Sequence, residues 1–281
     1  MDKNICNTNV NPYNINEIIS NPKSLKKVVN LNNQFENEIL FAFLCGKDLI
    51  DEAKYLLEFD ERLKITANSN CAFKLSCKNN RTDTVIWLIE LALLYNTPIN
   101  INIDDNYGFR KACRNGNLLL AKYFYINHGV NITLKDNYAF RKACEFGHLN
   151  IFEWLLKIND DYSYKNKIKI RDKNNYGFKY SCRNGHLEIV KNLFKLDKKV
   201  YFSKRYDKGQ YIRLACENGH LQIAQYLYEI DPTINISEKI HYCFRLACIN
   251  NHQYVATWLM SFYPSYKFFT ENGKITNFVY K

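Results

Sequence analysis

Four cysteine and histidine pairs share one spacing: Cys144 with His148, Cys182 with His186, Cys216 with His220 and Cys248 with His252. Thiolate and imidazole are the ligands zinc prefers, and a closed zinc site needs four of them converging on one point. Each pair, however, belongs to a separate copy of a repeated unit. Packed helices lie ~8–10 Å apart, so pairs in neighbouring copies are too far apart to share an ion. Paired acids at Asp104 and Asp105 and at Asp160 and Asp161 fall in turn-forming stretches, where adjacent carboxylates are usually solvated. The chain carries no phosphate-cradling glycine loop, no HExxH and no GxSxG. The sequence therefore predicts a non-catalytic protein with no metal and no cofactor.

A second row of chemistry is electrostatic. Three residues before the marker cysteine of six consecutive copies stand Lys74, Arg110, Arg141, Lys179, Arg213 and Arg245. Two readings fit this row. The heads reach a neighbouring turn's carbonyls or acids such as Asp105 and Asp136, or they stay free and bind an acidic or phosphate-bearing ligand. The formal net charge of +11 is also uneven, since residues 157–213 hold 16 basic and 6 acidic side chains. With the interleaved Tyr162, Tyr164, Tyr176, Tyr180, Tyr201 and Tyr206, this block could hold nucleic acid. A chain rich in Asn, Lys, Ile and Tyr reads equally as a compositional bias with a solvated lysine face.

These residues sit on a unit that recurs along most of the chain. Residues 175–194 read NYGFKYSCRNGHLEIVKNLF, with clear copies from Asn106, Asn137, Gly209 and His241 and weaker ones from Ile39 and Asn70. The in-phase cysteines, Cys45, Cys77, Cys113, Cys144, Cys182, Cys216 and Cys248, follow one another at 32, 36, 31, 38, 34 and 32 residues. Their phase favours small buried thiols in a reducing compartment over a disulfide framework. Phe109, Ala112 and Cys113 share one helical face, and Leu118, Ala121 and Phe124 mark the inward face of a second helix. Gly116, Gly147, Gly185 and Gly219 stand where the first helix must end in a left-handed residue, with Asn80, Asn251 and, in the first copy, Asp48 in the matching places. Alternating apolar residues such as Ile99, Ile101, Val130 and Ile132 suggest short strand-like connections, and the interval of 38 inserts an extended loop at 160–170.

The expected architecture is an all-α solenoid of about seven helix-pair repeats spanning 38–262. An N-terminal tail and helical cap (1–37) would cover one end, its first ten residues disordered. A C-terminal extension (263–281) would cover the other as a hairpin or a loosely packed segment, Asn272 and Gly273 being the hairpin signal. Asp2, Lys3, Asn4 and Asn7 interrupt any leader-like apolar run, and residues 85–95 are too short to span a bilayer. An intracellular, cytoplasmic monomer with no membrane contact is the expectation.

The run CRNGHLEIVKNLF at Cys182 resembles the second half of an ankyrin repeat, and the resemblance extends over about 38–262. Where such repeats carry TPLH, this chain has YGFR, YAFR, YGFK, QYIR, YCFR and CAFK. That style is similar to the ankyrin families encoded by giant viruses of amoebae, such as mimivirus. The resemblance implies a scaffold that binds another protein through its concave face and hairpin tips, in an infected host cell if the chain is viral. By position the tips are Lys135, Lys173, Tyr206, Asp207 and Lys208, and the inner-helix contacts are Arg114, Phe146, Arg183 and Glu217. Binding of nucleic acid or an acidic ligand through 157–213 is the alternative.

Overall fold

The computed structural model describes residues 33–161, 167–202, 209–232 and 236–279. The expected N-terminal cap (up to residue 32), the middle of the 160–170 insertion and Tyr206, Asp207 and Lys208 lie outside them. Two compact units divide the chain, Met1–Asn131 and Ile132–Lys281.

The first unit holds three helix pairs: α1 (Gln34–Lys47) with α2 (Ile50–Phe59), α3 (Ala67–Lys78) with α4 (Thr82–Leu94), and α5 (Ile103–Arg114) with α6 (Leu118–His128). Here α1 packs on α3 and α3 on α5. The first described helix begins at Gln34. The second unit pairs α7 (Leu134–Phe146) with α8 (Leu149–Asp160), α9 (Asp172–Asn184) with α10 (Leu187–Leu196), α12 (Gly209–Glu217) with α13 (Leu221–Ile230), and α14 (Ile236–Ile249) with α15 (Gln253–Met260). A short α11 (Lys199–Phe202), which the repeat pattern does not signal, buries Val200 and Tyr201. The inner helices stack in the order α7, α9, α12, α14, and the outer ones α8, α10, α13, α15.

The core is built from the same positions in each layer and is shared between neighbours. Cys45, Cys77, Cys113, Cys144, Cys182, Cys216 and Cys248 are all buried free thiols. Burial raises the pKa of six of them, to about 12 at Cys248; at Cys216 a hydrogen bond with Cys243 leads in raising it, ahead of burial. Such groups pack as small apolar side chains. Phe109, Ala112 and Cys113 form the expected face of α5; on α6 the buried residue is Leu120 rather than Leu118, beside Ala121 and Phe124. The glycine at 108 is needed because a Cβ there would come within 2.6 Å of the Phe124 ring and 3.0 Å of Phe73.

All seven predicted helix ends are left-handed: Asp48, Asn80, Gly116, Gly147, Gly185, Gly219 and Asn251 have φ between 62° and 86°. The connections differ from expectation. Ile99, Ile101, Val130 and Ile132 are buried but lie in turns and irregular backbone rather than strands. The turns that lead from them into the next inner helix have a conformation the repeat pattern does not signal. At Asn68–Asn70, Asp104–Asn106, Lys135–Asn137 and Lys173–Asn175 three successive residues are left-handed before the right-handed helix begins. A left-handed residue with a side chain costs about 1–2 kcal/mol, and Asn and Asp tolerate it best. Asn and Asp accordingly fill most of these positions.

The second unit ends in a hairpin, β1 (Lys267–Glu271) antiparallel to β2 (Lys274–Val279), turning through left-handed Asn272 and Gly273. Tyr266 ahead of it is fully buried against Phe244, with ring centroids 4.7 Å apart. Asn251 accepts the Ile275 amide at 2.8 Å, fixing the hairpin on the last pair.

Candidate partner-binding face

The inner helices are held by two sets of hydrogen bonds. At their C-terminal ends, donors of one layer reach carbonyls of the layer before. Asn79 Nδ2 donates to Gly46 O (2.9 Å), Asn184 Nδ2 to Glu145 O (2.7 Å) and Asn250 Nδ2 to Glu217 O (2.8 Å). Three histidines of the Cys-x-x-x-His pairs do the same work. Nε2 of His186, His220 and His252 lies 2.9–3.0 Å from the carbonyls of Glu145, Arg183 and Glu217. Burial lowers the pKa of His186 and His220, partly offset by these carbonyls. The neutral ring with its proton on Nε2 is the donor form. No group of metal-ligating side chains comes together among the described residues.

At the opposite, N-terminal ends, buried asparagines of the left-handed turns look forward. Asn106 Nδ2 donates to Asn131 O, Asn137 Nδ2 to Asp172 Oδ2 at 2.6 Å, and Asn175 Nδ2 to Val200 O at 3.0 Å. Sequence reasoning missed these residues, although Asn recurs seven places before four of the marker cysteines.

Two members of the basic row, Arg110 and Arg141, serve these same turns. Arg110 donates from Nε to Asp105 O (2.8 Å) and from Nη2 to Asp104 O (2.7 Å); Arg141 does so to Asp136 O (2.7 Å) and Lys135 O (3.1 Å). A planar guanidinium suits two adjacent carbonyls exposed by a left-handed turn. Lys74 instead pairs with Asp104 at 2.8 Å. Lys179 Nζ lies 5.9 Å from the Tyr180 ring, Arg213 is half-buried and Arg245 exposed. Of the tips, Lys135 lies exposed in its turn and Lys173 pairs with Asp136 at 2.9 Å. Arg114 and Arg183 end α5 and α9 exposed, Glu217 ends α12 half-buried, and Phe146 ends α7 with 40% exposure.

Two clusters emerge that the sequence does not announce. On α7 and α9, Lys142 pairs with Glu145, and both meet the Tyr176 hydroxyl, which donates to Glu145 Oε2 at 2.6 Å and accepts from Lys142 Nζ at 2.9 Å. The Arg141 guanidinium covers the Tyr176 ring at 4.7 Å. Burial alone would lower the Lys142 pKa, but its bonds to Glu145 and Tyr176 outweigh it and raise the pKa. On α3 and α5, the residue in the same phase, Lys111, lies 5.1 Å from the Tyr107 ring. Its pKa is lowered, first by burial and then by Arg114, Arg110 and Lys78. The signal is present as FRKACR against FRKACE, one residue apart in kind at 114 and 145.

A family model of ankyrin repeats matches residues 109–203 and 140–240. Residues 109–240 of this chain carry ankyrin repeats. No curated protein is significantly similar to it in sequence. Ankyrin repeats generally mediate protein–protein interaction and are typically non-catalytic scaffolds. Among the described residues, no helix is long and apolar enough to cross a membrane.

Proposed function

We propose that this chain is a non-catalytic ankyrin-repeat scaffold that binds another protein through the inner-helix face and the turn tips. One observation carries the reading. The residue after each marker cysteine, Glu145, Arg183 or Glu217, gives its backbone carbonyl to the next layer, while its side chain changes from copy to copy. A fixed backbone under variable side chains is what recognition requires, and Phe146 and Arg183 are the residue types that dominate interface energetics. The style of the repeats makes a host-cell protein of an amoebal virus the first class of partner to screen.

The test is affinity capture from the native cell with wild-type protein and with Phe146→Ala and Arg183→Glu variants. Both variants are expected to melt as wild type and to lose the captured partner, while Lys191→Gln on the outer helix keeps it. Retention of the partner by every inner-face variant would sink the reading. Nucleic-acid binding through 157–213 is the second reading, and several of its charges are engaged internally: Arg171 with Asp197, Lys173 with Asp136 and Lys191 with Glu188. Retention on immobilised DNA or RNA that collapses between low and moderate salt would favour it.

A further inference from the structure

The α3 and α5 cluster offers a more specific reading of the inner face. Tyr107, Arg110, Lys111 and Arg114 lie at i, i+3, i+4 and i+7 on α5, one helical stripe. Lys78 ends α3 in the layer before, and the Asn115 amide ties the two layers there, donating to Cys77 O at 3.2 Å and Lys78 O at 3.3 Å. Three cationic side chains, Lys78, Arg110 and Arg114, thus gather around one half-buried ammonium. Among the described residues no carboxylate forms an ion pair with Lys78 or Lys111, and Asp104 is taken by Lys74 at 2.8 Å. The like-charge neighbours and the burial lower the Lys111 pKa.

The chain shows how it treats a lysine in this phase. At Lys142 the position held by Arg114 is filled by Glu145, and the carboxylate sits on the ammonium. Lys74 likewise meets a carboxylate from the following layer. We propose that Lys111, with Lys78 and Arg114 beside it, forms a subsite for the carboxylates of an acidic segment on a protein partner, which supplies in trans what Glu145 supplies to Lys142. The inference rests on the scaffold reading and adds the chemistry of the partner. A nucleic acid is the poorer fit, because a phosphate backbone gains from a long track of cations and this one is short. The cation next to it, at Lys74, is already neutralised.

The experiment uses the full chain and a fluorescein-labelled hexaglutamate peptide, read by fluorescence anisotropy at low salt. Saturable binding is expected. Lys111→Gln should weaken it about fivefold, and Arg114→Glu, which builds the Glu145 pattern into α5, should weaken it tenfold or more, near the scale of a lost charge-assisted bond. Lys191→Gln should bind as wild type. In parallel, an amine-acylating reagent at mildly alkaline pH should label Lys111 faster than Lys142, and hexaglutamate should protect Lys111; this arm reads the site even if Arg114→Glu fails to fold.

The proposal is overturned if Lys111→Gln binds as wild type, if Lys191→Gln weakens binding equally, or if Lys111 is neither faster nor protected. It is also overturned if a phosphoserine peptide or a DNA duplex binds through these residues and hexaglutamate does not. Should hexaglutamate fail while Phe146→Ala and Arg183→Glu still abolish capture of the native partner, this subsite falls and the scaffold reading stands.

Discussion

The inner faces of α5 and α7 are nearly the same sequence, YGFRKACR and YAFRKACE, and do opposite things with one lysine. In α7 the lysine is met by its own Glu145 and by Tyr176, and its pKa rises. In α5 the same side chain sits among Arg110, Arg114 and Lys78, and its pKa falls. A repeat scaffold holds backbone and core constant, so one substitution on the outward edge converts a self-satisfied surface into a charged one. Function in such a fold is written at positions the core does not use.

The comparison breaks first if the two helices are not equivalent scaffolds. Phe109→Ala and Phe140→Ala each empty a buried ring site and should each cost about 3–5 kcal/mol, read by urea unfolding. A gap well beyond that range would mean that the two cores differ as well as the two surfaces. The next largest effect is expected at Gly147, where φ is 75° and a Cβ would come within 2.4 Å of the His186 ring. Gly147→Ala should cost roughly 2–3 kcal/mol, whereas Gly129→Ala, left-handed but in open space, should cost about 1 kcal/mol.

Sharpening the comparison means exchanging the edge residues. Glu145→Arg should leave Lys142 among like charges and destabilise the protein by about 1–2 kcal/mol, since the side chains of this pair are only 18% and 16% exposed. Its acylation rate should then approach that of Lys111. The sign of the alkaline response should differ too. Lys142, with a raised folded pKa, contributes stability below its unfolded value that is lost as pH rises through the folded one; Lys111, with a lowered pKa, carries a cost that is relieved as pH rises towards its unfolded value.

The smallest effect belongs to Asp60 in the first unit. Its buried carboxylate accepts from Arg62 Nε at 2.8 Å and Asn37 Nδ2 at 2.7 Å, and the Arg62 bond leads in lowering the pKa to about 2. The folded form therefore gains stability above the unfolded pKa, on the order of 1 kcal/mol after screening at the exposed arginine, and loses it as pH falls from about 4 to 2. Asp60→Asn should flatten the acid limb of a thermal melt over that window.

The sequence made the layers legible because the core repeats. The cysteine phase, the left-handed helix ends and the paired helices all follow from positions that every copy must fill in the same way. It left the left-handed turns unread because Asn and Asp in a loop look like ordinary turn residues, and nothing in their order says that three in succession adopt one conformation. The row at Arg110 and Arg141 was visible, but its partners were backbone carbonyls, which have no letter in a sequence. The contrast at Lys111 and Lys142 was hidden for a related reason: it depends on side chains from two layers at once, and Tyr176 stands 34 residues from Lys142.

The two sets of bonds between layers run in opposite senses, back along the chain at the helix ends and forward at the turns. A storey built this way is finished only when both its neighbours exist, so the stack has no natural top floor. His241 occupies the forward-looking place in the last layer, and the hydroxyl of Tyr266 meets its ring nitrogen there. A single tyrosine and the ribbon behind it thus sit where a further storey would lie, and a chain cut at Phe262 would leave the roof open over Phe244.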